Sequence, residues 1–414
     1  MRFRQHKRGN TIGQNSVATE DDHVARRNVL ILACAQALSG ANSWVVFSTA
    51  GIVSSVLVSD RSLVTVPVST FMLGMWAGTL PTGAITRHLG RRAAFEVGAL
   101  CGVLAGLVCA LAVVLGSFLL LCVGTFLGGL YAAVGLSYRF AAADTASKSF
   151  KPKAISWVLA GGVFSAILGP QLAIFTKDLL GPYLFAATYL AQAIIAAVAA
   201  AVLMLVRIPA PMSVGHASGG RSIFQALRQP RLLAAILCGM TSCSMMNMVM
   251  TSAPVAMVAC GYSIADAALG IQWHVIGMYG PSFFTGAVIA WLGAERVATA
   301  GIAILVSGAF VASSGTTIAH FWTALVLLGL GWNCAFVGAT SMVADCQRPE
   351  ERTKLQAVND FLVFGSMVAG SFLSGFQLAH FGWAVINYVV IAILLLSALV
   401  LGWAVCRTRA QRTA

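Results

Sequence analysis

Charge is what this chain has least of. Only 9% of its 414 residues are Asp, Glu, Lys or Arg, while 58% are apolar. That composition excludes a soluble globular protein and indicates a polytopic membrane protein. Acidic residues are scarcest, 13 against 26 Lys and Arg, for a formal net charge of +13. A basic excess can mark a nucleic-acid partner, but its placement here argues for none. Only Arg61 and Lys177 fall in segments expected outside the cell membrane; the other basic residues lie at the termini and in every second loop. This positive-inside asymmetry predicts two cytoplasmic termini. No Walker-type phosphate loop is visible, so ATP hydrolysis is not expected, nor is an enzyme. Residues 1–28 lack the short apolar core of a signal peptide and read as a flexible cytoplasmic tail. The ten cysteines form no disulfide framework: most lie in apolar runs, where a thiol is a small hydrophobe, and Cys346 and Cys406 lie at helix ends.

What the chain has in abundance is long apolar runs. They fall at 29–55, 62–86, 93–115, 118–141, 154–176, 182–206, 232–260, 264–292, 297–316, 319–344, 355–378 and 383–406. Twelve spans agree with two termini on one side. One internal loop is long and polar, 207–230, and it separates a six-span half (29–206) from a second (231–406), with 407–414 as a C-terminal tail. The halves repeat. Thr82-Gly83-Ala84-Ile85 with Leu89-Gly90 matches Thr285-Gly286-Ala287-Val288 with Leu292-Gly293 at an offset of 203 residues. The same offset carries Phe118 to Phe321, Gly128 to Gly331 and Gly135 to Gly338. One register held across several spans is a duplication.

Gly83 to Arg92 (GAITRHLGRR) resembles the loop between the second and third helices of the major facilitator superfamily, with Gly90-Arg91-Arg92 in place. Arg87 stands where that loop usually has an acidic residue. Gly161-Gly162 and Gly169-Pro170 resemble the superfamily's Gly-Pro signature in the fifth helix; in any transporter such glycines also allow close packing and a bend. The resemblance implies an all-α fold of twelve transmembrane helices in two pseudo-symmetric six-helix halves around a central cavity, working as a secondary transporter.

The seventh and eighth runs carry the candidate site. Met246 and Met250 are four residues apart, as are His274 and Met278, so each pair shares a helix face. Counted from a turn at residue 262, Met250 and His274 are each 12 residues away, and Met246 and Met278 each 16. Three thioethers and an imidazole at two matched depths suit a soft ion, monovalent copper above all. Cys260 beside the turn and Cys238 near the other end would extend the column. Each part has a plainer reading: Met-x3-Met as packing, and His274 as an imidazole hydrogen-bonded to a neighbouring helix. An intramembrane histidine is nonetheless a functional candidate by default.

This pair of motifs, flanked by Cys238 and Cys260, resembles the CcoA-type copper importers of bacterial inner membranes. The resemblance implies copper import into the cytoplasm in support of cbb3-type cytochrome oxidase assembly. Met246, Met250, His274 and Met278 would bind the metal, and Cys238 and Cys260 would be thiols for redox handling or transfer. Copper would be the transported substrate rather than a cofactor, with the lipid bilayer and cytoplasmic copper chaperones or exporters as candidate partners. Asp360, Arg139 and Asp144 are candidates for coupling or gating; Asp360 also fits a hydrated or ion-paired carboxylate near the cytoplasmic end. The rival reading is a carrier of an organic solute such as riboflavin or a drug, with the Met-rich hairpin as an apolar wall.

Overall fold

The computed structural model describes residues 9–147, 150–206, 222–348 and 351–413. Among them every regular element is helical. The first half comprises α1 (Gly9–Leu57), α2 (Val66–Leu115), α3 (Phe118–Gly135), α4 (Tyr138–Thr145), α5 (Lys151–Thr176) and α6 (Ala186–Leu203). A short α7 (Ile223–Leu227) precedes the second half: α8 (Pro230–Ala259), α9 (Ile264–Tyr279), α10 (Ser282–Leu292), α11 (Ala294–Ser314), α12 (Ile318–Asp345) and α13 (Arg352–Thr413). Most of the expected central loop, 207–221, lies outside the described residues, as do residues 1–8. The stretch expected as a flexible tail is helical from Gly9 onward. No proline interrupts it, and Ala25 is fully buried in a cluster with Val29 and Tyr138.

Nine of the described helices are long and apolar enough to cross a membrane, or ten when the bent pair α9–α10 counts as one span. Two of these are double. α2 has 50 residues and α13 has 62. At ~1.5 Å per residue either would be more than twice the ~30 Å of a hydrocarbon core. Each breaks at a glycine in a positive-φ, extended conformation: Gly90 (φ 87°, ψ 167°) and Gly382 (φ 78°, ψ 179°). Packing shows the chain reversing at both. Before Gly90, Gly74 meets Phe126 and Gly78 meets Ala133, so α2 runs parallel to α3; after it, Gly98 meets Val134 and Gly124 meets Cys109, so it runs antiparallel. Across Gly382, Ser366 bonds the Met240 carbonyl (3.2 Å) and Ser397 bonds Thr241 (2.8 Å), placing both arms at one level of α8. Ten spans and two further reversals give twelve.

The duplication is visible in the backbone. Gly293, 203 residues after Gly90, ends α10 with φ 90° and ψ 150°, nearly the same conformation. A side chain is strained there, which is why glycine stands at both turns. Some helix starts carry a side-chain cap: Ser117 opens α3, and Ser263 forms a reciprocal capping box with Asp266 at the start of α9. α8 is the most enclosed helix, with 78% of its most apolar window buried against 28–56% in the other spans.

The two halves meet firmly at the end away from the termini. Ser69 bonds Ser371 (3.0 Å), Gln171 bonds Gln272 (2.8 Å), and Gly51 leaves room for Val255. Nearer the termini, the Trp76 indole donates to the Phe361 carbonyl (3.1 Å). A cavity remains between these two levels.

Candidate functional site

The cavity, of about 210 Å³, lies between the halves and is walled by both. Its symmetry follows the repeat. Gly40, Ser43 and Phe47 of α1 line it, and so do Cys243, Met246 and Met250 of α8, their counterparts at the 203-residue offset. Met75 of α2 and Met278 of α9 form a fourth such pair. Positions i, i+3 and i+7 share one helix face, so α1 and α8 each turn one equivalent stripe inward. Met248, two residues from Met246 and Met250, is absent from the wall although it is buried.

Aromatic rings make up much of the rest. Trp44 and Tyr279, one from each half, meet edge to face at 6.3 Å, and Phe47 meets Phe71 at 5.7 Å. Trp332 and Phe336 stack at 5.0 Å with an interplanar angle of 10°. Polar groups are few and mostly small. The Trp44 indole donates to Ser165 (3.0 Å), which donates to the Gly162 carbonyl (2.6 Å). Gln36, Ser39 and Ser43 add uncharged donors and acceptors, and Arg139 adds the one guanidinium on the wall. The arrangement offers stacking faces and polarizable thioethers with sparse hydrogen-bonding points, a chemistry for a flat, partly polar organic molecule.

The expected metal residues divide. Met246, Met250 and Met278 reach the cavity, whereas His274, Cys238 and Cys260 are not on its wall. His274 is fully buried, and its Nδ1 lies 2.8 Å from the Leu325 carbonyl on α12, so the imidazole ties α9 to its neighbour; its Nε2 has no hydrogen-bond partner. Cys238 is buried within α8, and Cys260 is exposed at the helix end. Among the described residues, no three His, Cys, Asp or Glu side chains gather as they would around a metal ion.

The gating candidates sit toward the end that carries the termini. Arg139 lines the cavity, its guanidinium lies 4.8 Å from the Phe140 ring, and its Nε has no partner. Asp360 on α13 accepts from Asn359 (3.1 Å) and is near enough to Arg139 for their charges to interact. Asp144 belongs to α4, and its side chain lies outside the described residues. The site residues that sequence reasoning passed over are the aromatic ones. Their signal was present: the offset that relates Gly83 to Gly286 also relates Phe47 to Met250, so a wall on one helix implied a wall on the other.

Comparison with known proteins bears on what this cavity serves. Residues 32–359 match the model of the Major Facilitator Superfamily. A protein named riboflavin transporter RfnT, from Brucella anthropi, is 45% identical over 84% of this chain and 88% of its own length. The uncharacterized MFS-type transporter YddS of Bacillus subtilis is 26% identical over 83% of each chain. Among solved structures, the xylose transporter XylE from E. coli, in a partially occluded inward open conformation, superposes with a TM-score of 0.69 at 15% identity, covering 91% of this chain and 97% of that one.

Copper import is overturned by the first of these relatives, which is named for riboflavin and matches most of this chain. The structure supplies the physical reason the motif misled. Three of the four presumed ligands are wall residues whose counterparts are Ser43, Phe47 and Met75, and the fourth, His274, is bonded to a backbone carbonyl. Twelve spans, a duplicated backbone turn and a family match across 32–359 lead to one statement: the chain is a multi-pass membrane protein of the major facilitator superfamily.

Proposed function

We propose that this chain is a secondary carrier, not an enzyme, for a flat aromatic solute bearing hydroxyl groups, with riboflavin the first candidate. The observation that carries the reading is the cavity wall: aromatic rings and thioethers from both halves around a few polar groups, of which Arg139 alone is charged. An isoalloxazine ring has two broad apolar faces and a polar edge, and its ribityl chain is a row of hydroxyls. Trp44, Tyr279 and the Met246–Met250 stripe suit the faces; Gln36, Ser43 and Arg139 suit the edge and the chain. Stacked aromatic pairs contribute about 0.5–1.5 kcal/mol each beyond the area they bury. The 45% identity to a riboflavin transporter supports the same solute class.

Basic residues at the termini and in alternate loops support placement in a bacterial inner membrane with both termini cytoplasmic. Closure of the far end by Ser69–Ser371 and Gln171–Gln272 then corresponds to a state with its outer side shut, and transport requires those contacts to part. The test is uptake of labelled riboflavin by cells that cannot make it, expressing this chain or Trp44→Ala at equal membrane levels. Uptake with the native chain that falls about tenfold in the variant is expected, the loss of a major stacking partner. No uptake above empty cells would overturn the solute assignment.

A further inference from the structure

The eighth span is broken and its first-half counterpart is not. α9 and α10 meet at 41° across Gly280-Pro281. Proline has no N–H to donate, so the helix ladder is interrupted there. The equivalent positions in α2 are Ala77 and Gly78, inside continuous helix. Opposite the break stands Asn333 of α12, almost completely buried. Its Nδ2 donates to the Met278 carbonyl (2.7 Å) at the end of α9 and to Ser282 Oγ (2.6 Å) at the start of α10. Its Oδ1 accepts from the Thr285 hydroxyl (2.5 Å), for which the Pro281 carbonyl is a second acceptor in reach at 2.8 Å. One side chain thus binds both pieces of the broken helix. The residue 203 positions earlier is Leu130, which can make none of these bonds. The break at Gly280-Pro281 and the amide that bridges it occur together in one half; the other half has neither, and the proline of its span, Pro81, sits inside unbroken helix.

We propose that Asn333 is a clamp that holds the bend between α9 and α10 and thereby positions Met278 and Tyr279 on the cavity wall. Both residues line the cavity in the last turn before the break. A buried amide whose two donors and acceptor are all engaged is a stiff joint, because losing any partner in a low-dielectric interior is costly. Asn333 is therefore a positioning residue: it acts on the solute through Met278 and Tyr279. This part of the proposal rests on the cavity being the solute site, as argued above; the clamp itself does not.

Two measurements on the full chain test it, using Asn333→Leu, which installs the first-half residue, and Thr285→Val, which removes one bond of the three. The first is amide hydrogen exchange of the solute-free protein. Exchange across 276–288 should quicken about tenfold in Asn333→Leu and less in Thr285→Val, while 73–85 in α2 stays unchanged. Unchanged exchange across 276–288 would overturn the clamp whatever the solute is. The second is riboflavin transport at matched membrane levels. KM should rise about tenfold in Asn333→Leu with kcat within about twofold. Faster exchange with an unaltered KM would overturn the positioning role. If Asn333→Leu fails to accumulate, Thr285→Val carries both readings with smaller shifts. A native chain that carries no riboflavin would remove the proposed solute, and the exchange result would still decide the clamp.

Discussion

The two halves solve one packing problem one helical turn apart. In the first, a Cβ on Gly129 of α3 would meet the Phe71 carbonyl, the Met75 amide and Gly74 of α2. In the second, a Cβ on Gly329 of α12 would meet the His274 carbonyl, the Met278 amide and Gly277 of α9. The three contacted residues correspond at the 203-residue offset, but the glycines do not: Gly129 corresponds to Trp332, and Gly329 to Phe126. Moving the crossing by one turn leaves a bulky ring where the other half has none, and Trp332 is a cavity residue. Duplication preserved the backbone approach and freed the side chains around it to diverge.

The end that carries the termini diverges in charge. Arg231 of α8 bonds Glu295 of α11 (2.7 Å) and Asp345 of α12 (3.2 Å), linking three helices of the second half. The equivalent positions in the first half are Asn28, Arg92 and Ala142. There Arg92 turns instead to Glu96 on its own helix (2.8 Å).

Substitutions that exchange the halves' solutions should sharpen this contrast. The largest effect is expected at the close crossings. Gly129→Val or Gly329→Val places a side chain against backbone on the facing helix, and such overpacking costs about 1–3 kcal/mol or more. Neither variant should yield normal amounts of folded protein by size-exclusion chromatography. Next is the ion network. Arg231→Leu strands the Glu295 carboxylate, 31% exposed, and unpairs the half-exposed Asp345, and should cost about 1 kcal/mol in thermal unfolding. Arg92→Leu, whose side chain is 60% exposed, should stay within about 0.5 kcal/mol. Equal losses from the two would mean that the halves are held alike. The smallest effect belongs to the thioether wall: Met246→Leu keeps volume and apolarity, so riboflavin uptake should remain within about twofold.

The architecture was legible because its causes are local. Spans show as apolar runs, Gly90 and Gly293 mark turns that need positive φ, and one offset relates the halves. The site was less legible for a geometric reason. Four-residue spacing states that His274 and Met278 share a face of α9, but not what that face meets. Here the stripe runs from the α12 contact to the cavity: His274 lies against Leu325, and Met278, one turn on, reaches the wall. The Met246–Met250 spacing identified an inward stripe correctly as a stripe; its chemistry depended on Trp44, Phe71 and Tyr279, which lie on other helices. Asn333 was illegible for the same reason, since a polar residue in an apolar run announces a partner without naming it. The Gly280-Pro281 break was readable, but the amide that bridges it comes from two spans later.

The central claim is that this cavity receives a flavin-like ring between aromatic walls. Titration of riboflavin fluorescence with purified protein tests it most directly, because stacking against indole or phenol rings quenches the flavin. The account predicts saturable one-to-one quenching that weakens about tenfold in Trp44→Ala and stays within about twofold in Met246→Leu. Absence of saturable quenching, or quenching that survives Trp44→Ala and vanishes in Met246→Leu, would contradict it.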